Sequence, residues 1–124
     1  MKEIDKESPV LITGGNGFIA SWIIKMLLED GKTVHATVRD PNNQKKVGHL
    51  LELDKKAPGT LKLFRADLIE KGSFDEAMKG CELVMHTASP FTINGTKNPY
   101  ETFVKPALEG TRNVLDSVNK TATV

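Results

Sequence analysis

The stretch VLITGGNGFIA, at residues 10–20, combines an apolar run, a glycine-rich turn and the start of a helical pattern. The apolar run predicts a buried strand, and the helical pattern begins directly after the turn. Gly15, Gly17 and Ala20 fit the Gly-x-Gly-x-x-Gly/Ala spacing of a dinucleotide-binding turn. Small residues there permit a tight turn, close approach of the backbone to a pyrophosphate and close packing of helix on strand. The free amides and the positive dipole end of the helix would then face the phosphates.

Predicted strands and helices alternate along the rest of the chain. Apolar and β-branched runs predict further strands at residues 33–38, 61–66 and 82–86. A last helix is expected behind residues 98–101, where Pro106 should kink or restart it. This β-α-β-α-β-α-β-α order implies a parallel sheet with helices on both faces. We therefore predict one α/β domain over residues 1–124, a Rossmann-type doubly wound parallel sheet that is incomplete, with about four strands and flanking helices.

Three finer features are also predicted from local patterns. The first helix carries an apolar stripe, which assigns Trp22 and Met26 to the core; the stripe consists of Phe18, Ile19, Trp22, Ile23, Met26 and Leu27. Ser73 and Glu76 form a capping box, so a helix should begin there and end at Gly80. Residues 122–124 are expected to begin a fifth strand.

Composition restricts the classes of partner. The formal net charge is +1, so no bulk electrostatic attraction to nucleic acid or to an anionic membrane is predicted. The charged N-terminal residues do not resemble a signal peptide. Cys81 is the only cysteine, which excludes an internal disulfide and a cysteine metal site and favours a cytoplasmic location. Its expected role is that of a small core residue.

Polar residues at the ends of the predicted strands are the candidates for cofactor binding, because these ends meet at the binding crevice of such a sheet. Arg39 stands about 20 residues past the glycines, where an acid usually bonds the ribose of NAD and an arginine accommodates the 2′-phosphate of NADP. Lys46 could reach the same phosphate, with Lys45 as an equal competitor, and Asp40 could serve a ribose hydroxyl.

The end of the third strand leaves two interpretations open. Asp67 could accept a hydrogen bond from the adenine amino group while Leu68 packs on the ring, or Asp67 could be a turn former. No catalytic group is predicted in this chain. Tyr100 is the only tyrosine, and Lys105 follows it by five residues, so the two do not share a helix face.

Several motifs resemble, in order and spacing, those of extended short-chain dehydrogenases/reductases, in the branch of dihydroflavonol reductases, cinnamoyl-CoA reductases and fungal methylglyoxal or aldehyde reductases. They are TGGNGFIASW at 13–22, ATVRDP at 36–41 with KKV at 45–47, GSFDEA at 72–77 and HTASP at 86–90. The resemblance implies NADPH-dependent reduction of an aldehyde or ketone. It implies that the pyrophosphate is contacted by Gly14, Gly15, Gly17, Phe18 and Ile19, and the 2′-phosphate by Arg39 and Lys46. It also implies that the adenine is contacted by Asp67 and Leu68, and the nicotinamide-side ribose by Thr87, Ala88 and Ser89.

The chain departs from this family in one large respect. Members have a catalytic serine after strand five, a Tyr-x-x-x-Lys pair and a C-terminal substrate region, and none of these has a position here. The chain therefore resembles the N-terminal cofactor-binding part of a longer oxidoreductase. On its own the chain should bind NADP but not catalyse reduction, and it should hold little of the site for a small carbonyl substrate. It should also self-associate through the open edge of strand four.

Two other functions stay open from the sequence. One is a non-catalytic module that senses NADP(H). The other is a relative of the NAD-dependent sugar-nucleotide epimerases and dehydratases, which share the glycine turn. Arg39 argues against the epimerase, because the resemblance implies an acid at that position in NAD-dependent relatives.

Overall fold

The structure is a computed structural model that describes residues 7–88 and 104–124. Four parallel strands form one sheet in the order β3-β2-β1-β4. The strands are β1 (Val10–Thr13), β2 (Thr33–Val38), β3 (Thr60–Arg65) and β4 (Leu83–His86). The helices are α1 (Phe18–Glu29), α2 (Gln44–Lys56), α3 (Asp75–Met78) and α4 (Lys105–Lys120). The predicted parallel α/β architecture is confirmed.

Two apolar clusters cover the two faces of the sheet. Neighbouring residues of β1 point to opposite faces: Ile12 joins a cluster with Ile24 of α1 and Leu50 of α2, whereas Leu11 joins a cluster with Val114 of α4. The second cluster also contains Cys81, which is fully buried, as predicted for a core residue. Helices therefore lie on both sides of the sheet, and the carboxyl ends of all four strands meet at one edge.

The prediction for the apolar face of α1 was only partly right, since Ile23 and Leu27 of the predicted stripe pack against the core and the other members do not. Ala20, Ile24 and Leu28 are the buried residues of this helix, whereas Trp22 is 53% exposed and Met26 67% exposed. Phe18 and Ile19 are exposed as well. The close approach of helix and strand requires the small Ala20 to face the sheet, and the residues two positions before and after it then point roughly the opposite way.

Local predictions at two other places were also wrong. Ser73 does not cap a helix, because its hydroxyl bonds to the backbone of Asp67, and α3 is a single turn with Phe74 as its N-cap residue. Residues 122–124 form a turn after α4 rather than a fifth strand. In consequence β4 pairs only with β1 within the described part of the chain, and its residues are partly exposed instead of buried.

Some predictions fall on residues 89–103 and so lie outside the described residues. They concern Ser89, Tyr100 and the helix start at 98–101. Pro106 is described, and it stands in the first turn of α4, a position at which proline is tolerated.

Candidate cofactor-binding cleft

A cleft of about 1160 Å³ opens at the carboxyl ends of the strands. The start of α1, the end of β2, the loop after β3 and the loop after β4 form its walls. It brings together most of the residues predicted to bind a cofactor: Gly14, Gly17, Phe18, Ile19, Arg39, Lys46, Asp67, Leu68, Thr87 and Ala88. Gly15 is not among the residues that line it.

The turn between β1 and α1 forms one end of the cleft. Gly14 has a φ of 67°, and a Cβ there would lie 2.8 Å from the Cα of Ala88, so a side chain would be both strained and obstructed. The amide of Gly17 donates to the carbonyl of Gly14 at 2.9 Å, and Ser21 makes the first helical bond to Gly17. The amides of the first turn of α1 therefore have no intrahelical acceptor, and the residues that carry them line the cleft.

Gly15 is placed behind this turn. Its amide donates to the carbonyl of Thr37 at 2.8 Å, and a Cβ there would lie 2.9 Å from the Cβ of Ala36. Because Gly15 has no side chain, the turn can pack against β2. This packing role differs from the pyrophosphate contact that was predicted for Gly15.

Two cations stand at the rim beyond β2. Arg39 and Lys46 both line the cleft, and neither makes an ion pair within the described residues. Lys45 does not line it, so the structure separates two lysines that the sequence left equal. Asp40 also lines the cleft, but one of its carboxylate oxygens accepts from the amide of Asn42 at 3.0 Å in a local turn.

The loop after β3 is held by its own side chains. The carboxylate of Asp67 accepts from the amide of Ile69 at 3.2 Å. The hydroxyl of Ser73 accepts from the amide of Asp67 at 3.1 Å and donates to its carbonyl at 2.9 Å. Asp67 is thus a turn former that also lines the cleft, and the two interpretations from the sequence are compatible.

A hydroxyl that the sequence analysis missed joins β1 to the end of β4. The buried Thr13 Oγ1 accepts from the amides of Thr87 at 3.0 Å and Ala88 at 3.1 Å, and it lies 2.7 Å from His86 Nδ1. Thr87 Oγ1 donates to the carbonyl of Thr13. Burial lowers the pKa of His86. A polar residue ending an otherwise apolar strand was the available signal for Thr13.

Further residues line the cleft without having been predicted to bind a cofactor. They are Asn16, Ala20, Thr37, Val38, Asn43, Ala66, Ile69, Phe74 and Pro106. Pro106 is the most distant in sequence, and it brings the first turn of α4 to the cleft. Across residues 7–88 and 104–124, no group of three metal-ligating side chains converges and no helix is both long and apolar enough to cross a bilayer.

The NAD dependent epimerase/dehydratase family matches residues 10–124. The chain belongs to this family. Among curated relatives, it is 52% identical over 111 residues to cinnamoyl-CoA reductase CAD2 of Medicago truncatula, covering 90% of this chain and 33% of the relative. It is 50% identical over 119 residues to dihydroflavonol 4-reductase of Solanum lycopersicum, covering 96% of this chain and 31% of the relative.

A solved member of similar fold is Gre2 from Candida albicans in complex with NADPH. Its TM-score is 0.74 at 31% identity, with 91% of this chain and 33% of that chain covered. The predicted resemblance to the reductase branch of the epimerase/dehydratase family is thus confirmed. The chain spans about a third of the length of the curated relatives it matches.

Proposed function

We propose that this chain is the NADP(H)-binding portion of an oxidoreductase that uses NADPH to reduce an aldehyde or ketone. One observation carries the proposal: Arg39 and Lys46, which form no ion pair within the described part of the chain, share a cleft with the Gly14 and Gly17 turn. The turn offers backbone amides to a pyrophosphate. The two cations offer charge to a 2′-phosphate, which NAD lacks. The NADPH in the related Gre2 structure supports this cofactor.

The other walls of the cleft complete the proposed site. Asp67 and Leu68 would contact the adenine. Thr87 and Ala88, together with Ser89, would contact the nicotinamide-side ribose.

Cofactor choice provides the first test. A hydrogen bond to a charged group contributes roughly 1.5–3 kcal/mol net, and about 1.4 kcal/mol is tenfold in affinity. Since Arg39 is exposed, we expect NADP to bind about tenfold more tightly than NAD. Arg39→Ala and Lys46→Ala should each reduce that preference, and added salt should weaken it. Isothermal titration of both nucleotides into each variant measures the ratio.

Lys45→Ala is the matched control, because Lys45 is an exposed neighbour on the same helix that does not reach the cleft. It should leave the ratio unchanged. Equal affinities for NADP and NAD in the unmodified chain would contradict the proposed 2′-phosphate site. The same conclusion would follow if Lys45→Ala and Lys46→Ala behaved alike.

Turnover provides the second test. The chain has one tyrosine, Tyr100, and no Tyr-x-x-x-Lys pair to donate a proton to a carbonyl. We therefore expect the 124-residue chain to bind NADPH without oxidising it in the presence of aldehydes or ketones. Steady consumption of NADPH with product formed by the purified chain would contradict this and would direct attention to Tyr100 and Lys105.

We further propose a cytoplasmic location, small carbonyl compounds as substrates of the full reductase, and self-association of this chain through β4. The location is supported by a single, buried cysteine. The location can be tested by following a fluorescent fusion of the chain through cell fractionation. Recovery of the fusion in a secretory compartment would contradict a cytoplasmic location.

A further inference from the structure

Helix α4 contacts the loop after β3 through two residues that do not line the cleft themselves. The side-chain amide of Asn113 donates to the carbonyl of Leu68 at 2.5 Å. One turn earlier, Gly110 is buried against the side chain of Leu68. Leu68 lines the cleft, and so does Pro106 at the start of the same helix. The loop and the helix are thus joined at a residue on the wall of the cleft.

Gly110 stands in the interior of α4, where glycine destabilises a helix by roughly 1 kcal/mol relative to alanine. A Cβ at this position would lie 2.8 Å from both Cβ and Cδ2 of Leu68. Leu68 therefore occupies the space that a side chain would fill. The absence of a side chain at Gly110 sets how closely Leu68 approaches the helix.

The loop is held at two consecutive residues from two directions. Ser73 fixes the backbone of Asp67 through both of its hydroxyl hydrogen bonds, while Asn113 fixes the carbonyl of Leu68. Because the Asp67 carboxylate also accepts from Ile69, its orientation depends on the course of the backbone through Leu68.

We propose that Asn113 and Gly110 are positioning residues that make the cleft selective for adenine by holding Leu68, and through it Asp67, in the orientation that the base requires. The inference rests on the proposed function. An aligned Asp67 carboxylate accepts a hydrogen bond from the exocyclic amino group of adenine. It repels the carbonyl that replaces this group in hypoxanthine.

The experiment measures two affinity ratios by isothermal titration. The first compares NADP with its hypoxanthine analogue, and the second compares NADP with NAD. In the unmodified chain, NADP should bind about tenfold more tightly than the hypoxanthine analogue. Asn113→Leu, which keeps the approximate size but removes the donor, should bring this first ratio close to one. The second ratio should stay unchanged, because it is determined by Arg39, which follows β2, and by Lys46 of α2.

Asn119→Leu is the matched control, since Asn119 is an exposed asparagine on the same helix. It should leave both ratios unchanged. Gly110→Ala is the second variant: it keeps the Asn113 bond but displaces Leu68, so it too should lower the first ratio. If Asn113→Leu loses its helical circular dichroism, Gly110→Ala and the milder Asn113→Ser decide the matter.

The outcomes separate the two proposals. An unchanged first ratio in folded Asn113 and Gly110 variants would overturn this inference and leave the proposed function standing. An equal fall in both ratios would also overturn it, because the residues would then be general supports of the fold. Absence of nucleotide binding by the unmodified chain would contradict the proposed function and this inference together.

Discussion

The hydroxyl of Thr13 determines the tautomer of His86. A hydroxyl has one proton and two acceptor positions, and the amides of Thr87 and Ala88 occupy both acceptor positions of Thr13 Oγ1. Its proton must therefore be donated to His86 Nδ1, at 2.7 Å. His86 is then neutral, with its own proton on Nε2. Protonation of Nδ1 would remove the acceptor and disturb the segment that borders the cleft.

This arrangement predicts loss of stability in mild acid. Burial lowers the pKa of His86 below its ordinary value of 6.5, so the unfolded chain binds a proton more readily than the folded one. The contribution of His86 to the unfolding free energy is complete above pH 6.5 and is lost as the pH falls from there toward the folded-state pKa. Thermal unfolding measured across this interval should show the decline.

His86→Gln tests the assignment, because its amide oxygen can still accept from Thr13 but does not titrate. Its stability should decline less steeply than that of the unmodified chain below pH 6.5. His49→Gln is the control, since His49 is exposed and bonds to Ser21 on the other face of the sheet. If both variants keep the original steepness, proton uptake at His86 does not destabilise the fold.

Some residues that line or support the cleft could be placed from the sequence and others could not, for a physical reason. Arg39 and Lys46 follow a strand end at a spacing set by the local fold, so sequence distance places them. Thr13 and Asn113 act through contacts with His86 and Leu68 that are more than 40 residues away. Nothing in the neighbourhood of either residue indicates its partner.

Helix α1 shows how a correct element can be assigned a partly wrong face. Its periodicity is compatible with two stripes, because apolar residues surround most of the helix. The deciding constraint lies outside the helix: Ala20 must face the strand for the turn to close. Ser73 is a second example of a constraint from outside the helix. A capping box predicts a helix start only where the serine hydroxyl is not already hydrogen-bonded to another group, and here it accepts from the amide of Asp67.

Two isoleucines on α1 give a matched test of this orientation. Ile24 is fully buried, whereas Ile19 is 68% exposed. Ile24→Ala should lower the unfolding free energy by about 2–5 kcal/mol, because it leaves a cavity in the core. Ile19→Ala should change it by less than about 0.5 kcal/mol. Chemical denaturation of both variants measures the difference, and equal losses would contradict the observed face.

At the scale of the molecule, the order of strands and helices was predictable, because alternation along the chain permits few parallel arrangements. The surroundings of β4 were not predictable from alternation alone. A groove of about 350 Å³ runs between this strand and α4, and Leu83, Val84, Leu115, Val118 and Val124 are among the residues that line it. Within the described residues β4 pairs with β1 on one side only.

An open apolar strand edge favours pairing with another chain, and a second copy presents the same edge. We therefore predict concentration-dependent self-association of the 124-residue chain, measured by sedimentation velocity. Leu115→Lys should shift the population toward monomer, because it places a charge in the groove beside β4. Leu108→Lys is the control. Leu108 lies on the same helix and is 52% exposed, against 54% for Leu115, but Leu108 does not line the groove. A single monomeric species at every concentration would contradict the prediction, and equal effects of the two substitutions would place the contact elsewhere.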